Sequence, residues 1–153
     1  MKRFIKIIIT LLFLHLSLFA RTPYNLEGID ALRVLIVDVE KTISSKQHQK
    51  IISVVKKKLE QNGIKSDKKG VGAIYIKLTP IRVERFAIVH INFTVGEETE
   101  VLRAHKVTTF ALTYNFDDMI DVEEADVADE VYDSIVNFLT DEFLDQYRED
   151  NQE

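Results

Sequence analysis

Apolar and polar positions alternate along this chain with two different periods, and the periods mark out its elements. From Ala31 to Val39 the residues Leu32, Val34, Leu35, Ile36, Val37 and Val39 are nearly continuous apolar positions. A short run of this kind predicts a strand buried on both sides. Ile51, Ile52, Val55 and Leu59 then recur at helical spacing, behind Ser44 or Ser45 as N-cap and ahead of Asn62-Gly63 as a left-handed stop. Lys65 to Gly72 is polar and Gly-bounded, which predicts a loop. Period two returns at Ile74, Ile76 and Leu78, with Pro80 marking an edge or a bulge. It is cleanest at Ala87, Val89, Ile91, Phe93 and Val95. Gly96-Glu97-Glu98-Thr99 reads as a turn, and a long strand from Glu100 to Phe116 follows, with Phe110, Leu112, Tyr114 and Phe116 on one face. Asp126 is the expected N-cap of a last helix whose apolar face includes Val131, Tyr132, Ile135, Phe138, Leu139 and Phe143. Gln146 to Glu153 is expected to fray.

The order is β-α-β-β-β-α. Two apolar helix faces need one sheet face to bury them. The expected fold is therefore an α+β two-layer sandwich, with a mainly antiparallel sheet of about four strands and both helices on one side. The other sheet face must meet solvent or a partner. This order is similar to that of the lipopolysaccharide-export accessory lipoproteins, in architecture only. No residue motif carries the likeness, and the chain has no Cys to bear a lipid.

The N-terminus has its own pattern. Lys2 and Arg3 precede an apolar stretch from Phe4 to Phe19, and Ala20 closes it before polar Arg21-Thr22 and Pro23. A basic start, an apolar centre and a small residue at the end describe a secretory signal peptide. The competing reading is an uncleaved inner-membrane anchor. Lys6 and His15 interrupt the run, however, and leave Ile7 to Leu14 as its strongest part, well short of the roughly 20 apolar residues a spanning helix needs. The expected organisation is a signal peptide at 1–20, an extended segment at 21–30, one α+β domain at 31–147 and a frayed acidic tail at 148–153. Export places the protein in the periplasm, and the membrane is met only through an uncleaved signal.

Composition narrows the chemistry. With no Cys there is no disulfide scaffold, thiol nucleophile or thiolate metal site. Charge is split: residues 21–116 hold 16 basic and 10 acidic side chains, whereas residues 117–153 hold Arg148 alone against 15 acidic ones. The acidic tail either docks a basic partner, with Asp129 and Asp133 on its outer face, or lies beside the basic helix at 46–69 so that opposite charges line the seam. It excludes nucleic acid and anionic membrane surfaces as the tail's ligand.

Candidate sites fall on the open face of the 86–95 strand. If Val95 pairs with Glu100 across the turn, His90 sits opposite His105, Ile88 opposite Val107 and Thr94 opposite Val101. Two imidazoles across a ladder are close enough to share a metal ion or to act as a proton-sensitive pair, though two ligands are too few for an ordinary site. In the same register Phe86, Ile88, Val101 and Val107 form an exposed apolar patch, the kind of surface that marks an interface. The 21–30 segment, with Leu26 and Ile29, could instead fold over it. Enzyme signatures are absent: Ser44, Ser45, Ser53, Ser66 and Ser134 have no Gly-x-Ser-x-Gly setting, and His48 belongs on the first helix beside Ile51 and Ile52. Asp117-Asp118 and Asp121 to Glu124 form an acidic loop that fits no calcium motif. Gly70-Val71-Gly72 precedes a strand and makes no phosphate loop. The expectation is a non-enzymatic binding module without a cofactor, whose partner is another envelope protein or, on the alternative reading, a lipid carried against the same face.

Overall fold

In a computed structural model of the chain, residues 26–66, 72–101 and 105–151 are described. The predicted signal peptide, residues 21–25, the middle of the Lys65–Gly72 loop, residues 102–104 and the last two residues lie outside them. Strand β1 (Leu32–Val37), helix α1 (Ser45–Gln61) and strands β2 (Gly72–Val83), β3 (Phe86–Val101) and β4 (Val107–Glu123) come in that order. A last helix begins as α2 (Val127–Asp133), passes through a π-helical stretch (Ser134–Leu139) and ends as α3 (Thr140–Asp150). The sheet order is β1-β2-β3-β4. Helix α1 carries the chain across, so β1 and β2 are parallel, and the remaining pairs are antiparallel. This is the expected α+β arrangement.

Local chemistry accounts for the ends of α1. The Ser44 hydroxyl accepts from the Gln47 N–H, the Gln47 side chain accepts from the Ser44 N–H, and Gly63 takes the left-handed φ of 84° that stops the helix. Pro80 lies in β2 past the end of β1, whose last partner is Lys77. Its missing N–H therefore faces a side where no strand pairs. Asp126 sits at the N-terminus of α2, but its side chain makes no capping hydrogen bond.

The core lies between one sheet face and the helices. Val34, Ile74, Ile76, Val89, Ile91 and Phe93 from the sheet meet Ile51, Val55 and Leu59 of α1 and Val131, Ile135, Leu139 and Phe143 of the last helix. Those last four residues are spaced by four. In a regular α-helix each such step drifts by about 40° around the axis. The wider π-helical turns between Ser134 and Leu139 take up that drift, which keeps the row on the core side. Carbonyls displaced from the α ladder find other donors: the Thr140 hydroxyl donates to Ile135 O (2.6 Å), and Lys58 Nζ of α1 donates to Val136 O (2.7 Å).

β1 is an edge strand with Leu35 and Val37 exposed, not a strand buried on both sides, and four further expectations need correction. First, Gly96 to Thr99 is no turn: β3 runs on to Val101, and the chain reverses between Val101 and Val107. Second, Phe110 and Leu112 do not share a face with Tyr114 and Phe116. A bulge at the Val95/Gly96 step leaves Thr113 unpaired, so Tyr114 and Phe116 point into the core while Phe110 and Leu112 turn to the open side. Third, Asp117 to Glu123 belong to β4 and form no acidic loop. Fourth, residues 148–150 are helical, not frayed. The chain's other end holds them: the Leu26 N–H donates to Asp150 Oδ2 (2.9 Å), and Asn151 Nδ2 donates to Leu26 O (3.1 Å).

Candidate functional site

Among the described residues, no helix covers the second face of the sheet. Leu26 and Ile29 do not cover it. Both are buried in the core, and the Tyr147 hydroxyl donates to Ile29 O (3.3 Å) from α3 on the helical side. The open face therefore presents the alternate residues of all four strands.

Its middle is polar and internally satisfied. His90 Nε2 lies 3.1 Å from Asp117 Oδ2. Asn92 Nδ2 donates to Asn115 Oδ1 (2.7 Å), and the Thr94 hydroxyl lies 2.7 Å from Asn92 Oδ1 and 2.9 Å from Asn115 Oδ1. These are cross-strand pairs and diagonals of the β3–β4 ladder, with Asn92 and Thr94 neighbours along β3. They occupy one another, so the band orients side chains more than it offers free ligands.

Apolar groups lie on either side of this band. Toward the β2–β3 turn stand Ile81 (61% exposed), Val83 (58%), Phe86 (42%) and Ile88. Val83, Phe86 and Ile88, with the carboxylates of Glu84 and Asp121, line an open depression of about 460 Å³. Met119, 66% exposed, stands across from His90. Toward the opposite end, Phe110 lies edge-on to Tyr75, with ring centroids 6.0 Å apart. Gly96 makes this contact possible, because a Cβ there would sit 2.2 Å from the tip of the Phe110 ring. Gly96→Val is expected to swing Phe110 off Tyr75 at a cost of about 1 kcal/mol, the worth of such an aromatic pair. The check is a lost ring-current shift at Tyr75 in NMR spectra, and an unchanged Tyr75 environment would contradict it.

The predicted site residues are only partly brought together. Phe86 and Ile88 share the open face as expected. Val101 and Val107 pair with each other near the far tip of the β3–β4 hairpin, thirteen residues along β3 from Ile88 and roughly 40 Å away. The single apolar patch is thus two separate features. His90 faces Met119 and bonds Asp117, while His105 is exposed in the connection before β4, so the expected histidine pair does not form. The cause is the register: β3 residues 86–95 pair with 114–123 through a longer hairpin than the Gly96 turn would allow. No cluster of three or more His, Asp or Glu suited to a metal occurs among the described residues.

The acidic helix behaves mostly as a packing partner. Lys58 Nζ is 2.8 Å from Asp141 Oδ1, Lys50 lies over the Tyr132 ring at 4.3 Å, and Arg148 donates to Asn62 Oδ1 (2.9 Å). Lys58 and Lys50 of α1 thus meet acidic and aromatic side chains of the last helix, while Arg148 reaches back to the neutral amide of Asn62 at the end of α1. Asp129 and Asp133 stand exposed on the outer side, Asp133 accepting from Asn137 Nδ2 (2.6 Å).

One arrangement had no sequence signal beyond the identity of its residues. Asp38, its side chain fully buried, accepts from the N–H groups of Thr42 (2.8 Å) and Ile43 (3.1 Å) and lies 3.0 Å from His48 Nε2. Burial acts to raise its pKa, but the two amides and the imidazole outweigh it and hold the carboxyl below the usual range. This group ties the β1–α1 connection to the first turns of α1.

No helix among the described residues is long and apolar enough to cross a membrane. No family model matches the sequence, and no curated protein matches it. Among solved structures the chain is similar to a dodecamer of a PelC point variant from Paraburkholderia phytofirmans, at 11% identity and a TM-score of 0.47, covering 79% of this chain and 91% of that one. It is also similar to rare lipoprotein B from Shewanella oneidensis, at 9% identity and a TM-score of 0.37, covering 76% of this chain and 94% of that one. Neither likeness assigns a role to any residue of the open face.

Proposed function

We propose that this protein is an exported, non-enzymatic accessory module of the cell envelope that acts by binding another envelope protein through the open face of its sheet. One observation carries the reading: Ile81, Val83 and Phe86 stand exposed around a half-buried Ile88, on a face that neither the helices nor residues 26–30 cover. Exposed apolar groups rimmed by polar ones favour a partner surface. Glu84 and Asp121 on the rim suit a partner that brings basic side chains beside its apolar anchor. The N-terminal basic–apolar–small pattern supports export.

The carrier reading rests on the depression beside Val83, Phe86 and Ile88. It is open to solvent and has two acidic residues, Glu84 and Asp121, in its lining, which disfavours an anionic lipid. Crosslinking in intact cells from positions 86 and 88 separates the two. The expected result is one dominant envelope protein, lost in Ile88→Glu and weakened at least about tenfold in Phe86→Ala, as for an interface anchor, with the unfolding midpoint changed little. A stoichiometric lipid in the purified protein, with no crosslinked protein above background, would replace the adaptor reading by the carrier.

A further inference from the structure

The two edges of the sheet are guarded differently. β1 is six residues long and includes Arg33. β4 is 17 residues long, and no strand among the described residues pairs with its outer side. A long bare edge recruits another strand unless charge, proline or shortness prevents it.

Charge protects only half of β4. Asp117, Asp118, Asp121 and Glu123 lie in its second half, whereas Val107 to Phe116 contains no charged residue and no proline. In the second half one outward amide is already taken: the Met119 N–H donates to Oδ1 of the adjacent Asp118 (2.8 Å). Just beyond the strand, the Glu124 N–H donates inward to Arg85 O (2.8 Å). Alternation between these two amides turns the odd-numbered amides from 115 to 123 outward. The extra residue at the bulge shifts that parity, so the outward amides of the first half belong to Thr108, Phe110 and Leu112. Beside them stand the exposed side chains of Phe110 and Leu112.

We propose that the uncharged half of β4 pairs antiparallel with the same half of a second copy of this chain, about a two-fold axis at Phe110. Thr108 then lies across from Leu112 of the second copy, and the two Phe110 rings meet as a cross-strand aromatic pair. Charge selects this register. Self-pairing over the acidic half would set carboxylates against carboxylates, which is unfavourable. Pairing at Phe110 sends the two acidic halves of β4 in opposite directions, and the two copies of Asp117 stand roughly 45–50 Å apart along the strands. The nearest acids of the two copies are then Glu98 of β3, beside Phe110 and separated by three strand spacings, about 14 Å. The contact uses the edge of the sheet and is independent of the reading given to its open face.

The absence of Cys makes the test direct. Directly paired residues across this ladder have Cα atoms about 5.5 Å apart, within disulfide range. In the otherwise unaltered protein, Phe110→Cys is expected to form an inter-chain disulfide under mild oxidation, while Met119→Cys on the same edge stays monomeric. Should Phe110→Cys fold poorly, mixed Thr108→Cys and Leu112→Cys chains, which lie opposite each other, carry the same test. Sedimentation should show the wild type shifting from monomer to dimer across a roughly hundredfold range of concentration. Thr108→Pro, which removes one outward amide and leaves the β3 ladder intact, should remain monomeric with an unchanged unfolding midpoint. A wild type that stays monomeric throughout, or Met119→Cys crosslinking as readily as Phe110→Cys, would overturn the proposal.

Discussion

Phe143→Ala is expected to lower the free energy of unfolding by about 3–5 kcal/mol, the usual loss for a large buried aromatic. Phe143 is fully buried on α3 and sits where three elements converge. Its ring lies 5.8 Å from Phe93 of β3, 5.4 Å and edge-on from Tyr114 of β4, and 6.5 Å and stacked on Tyr147 one helical turn away. Rings held by two strands and a helix cannot collapse far into the space left behind, so the cavity cost adds to the lost burial. Phe138→Ala provides the contrast. Phe138 packs on Phe116 with centroids 5.7 Å apart but is 40% exposed, and its loss should be about 1 kcal/mol. Equilibrium denaturation of both variants checks the difference. Equal losses would mean that the last helix is not anchored at Phe143.

Asp38→Asn is expected to cost about 1–3 kcal/mol at neutral pH, because the partly buried amides of Thr42 and Ile43 then face a neutral and less complementary acceptor. The loss should depend on pH in a defined direction. The folded carboxyl titrates below its ordinary value of 3.8, so between the folded and ordinary values the unfolded chain binds more protons than the native one. Its contribution is therefore complete above about pH 4 and is lost as the pH falls through the folded value. Wild type and Asp38→Asn should differ most from pH 5 upward, within the roughly neutral range where such contributions are complete, and should converge in acid. A difference that stays constant down to the acid limit would show that the carboxylate's charge is not what holds the connection.

Periodicity made the elements legible because burial is a local demand. One face of a strand must be apolar every second residue, and one face of a helix every three to four. Ile51, Val55 and Leu59, and likewise Val89, Ile91 and Phe93, could be placed on the core side without knowing what they touch. The cap at Ser44 and the stop at Gly63 were legible for a similar reason, since each is settled within one helical turn. The π-helical stretch left a trace as well, in the spacing of four from Val131 to Phe143, although only the donors Thr140 and Lys58 explain how its carbonyls are met.

Pairing is a different kind of quantity. Gly96-Glu97-Glu98-Thr99 has the composition of a turn, yet these residues continue β3. A hairpin extended to Val101 forms more backbone pairs, and a single bulge at Thr113 keeps the apolar residues of β4 beyond it, Tyr114 and Phe116, on the core side. That register separated His90 from His105, parted Val101 and Val107 from Phe86 and Ile88, and moved Phe110 and Leu112 to the open face. The chain order and the residues that need burial were determined by the sequence alone, because each follows from neighbours a few positions away. Which side chains meet on the open face and which edge is left bare were decided only in the tertiary structure, where a one-residue shift in pairing redirects every side chain beyond it.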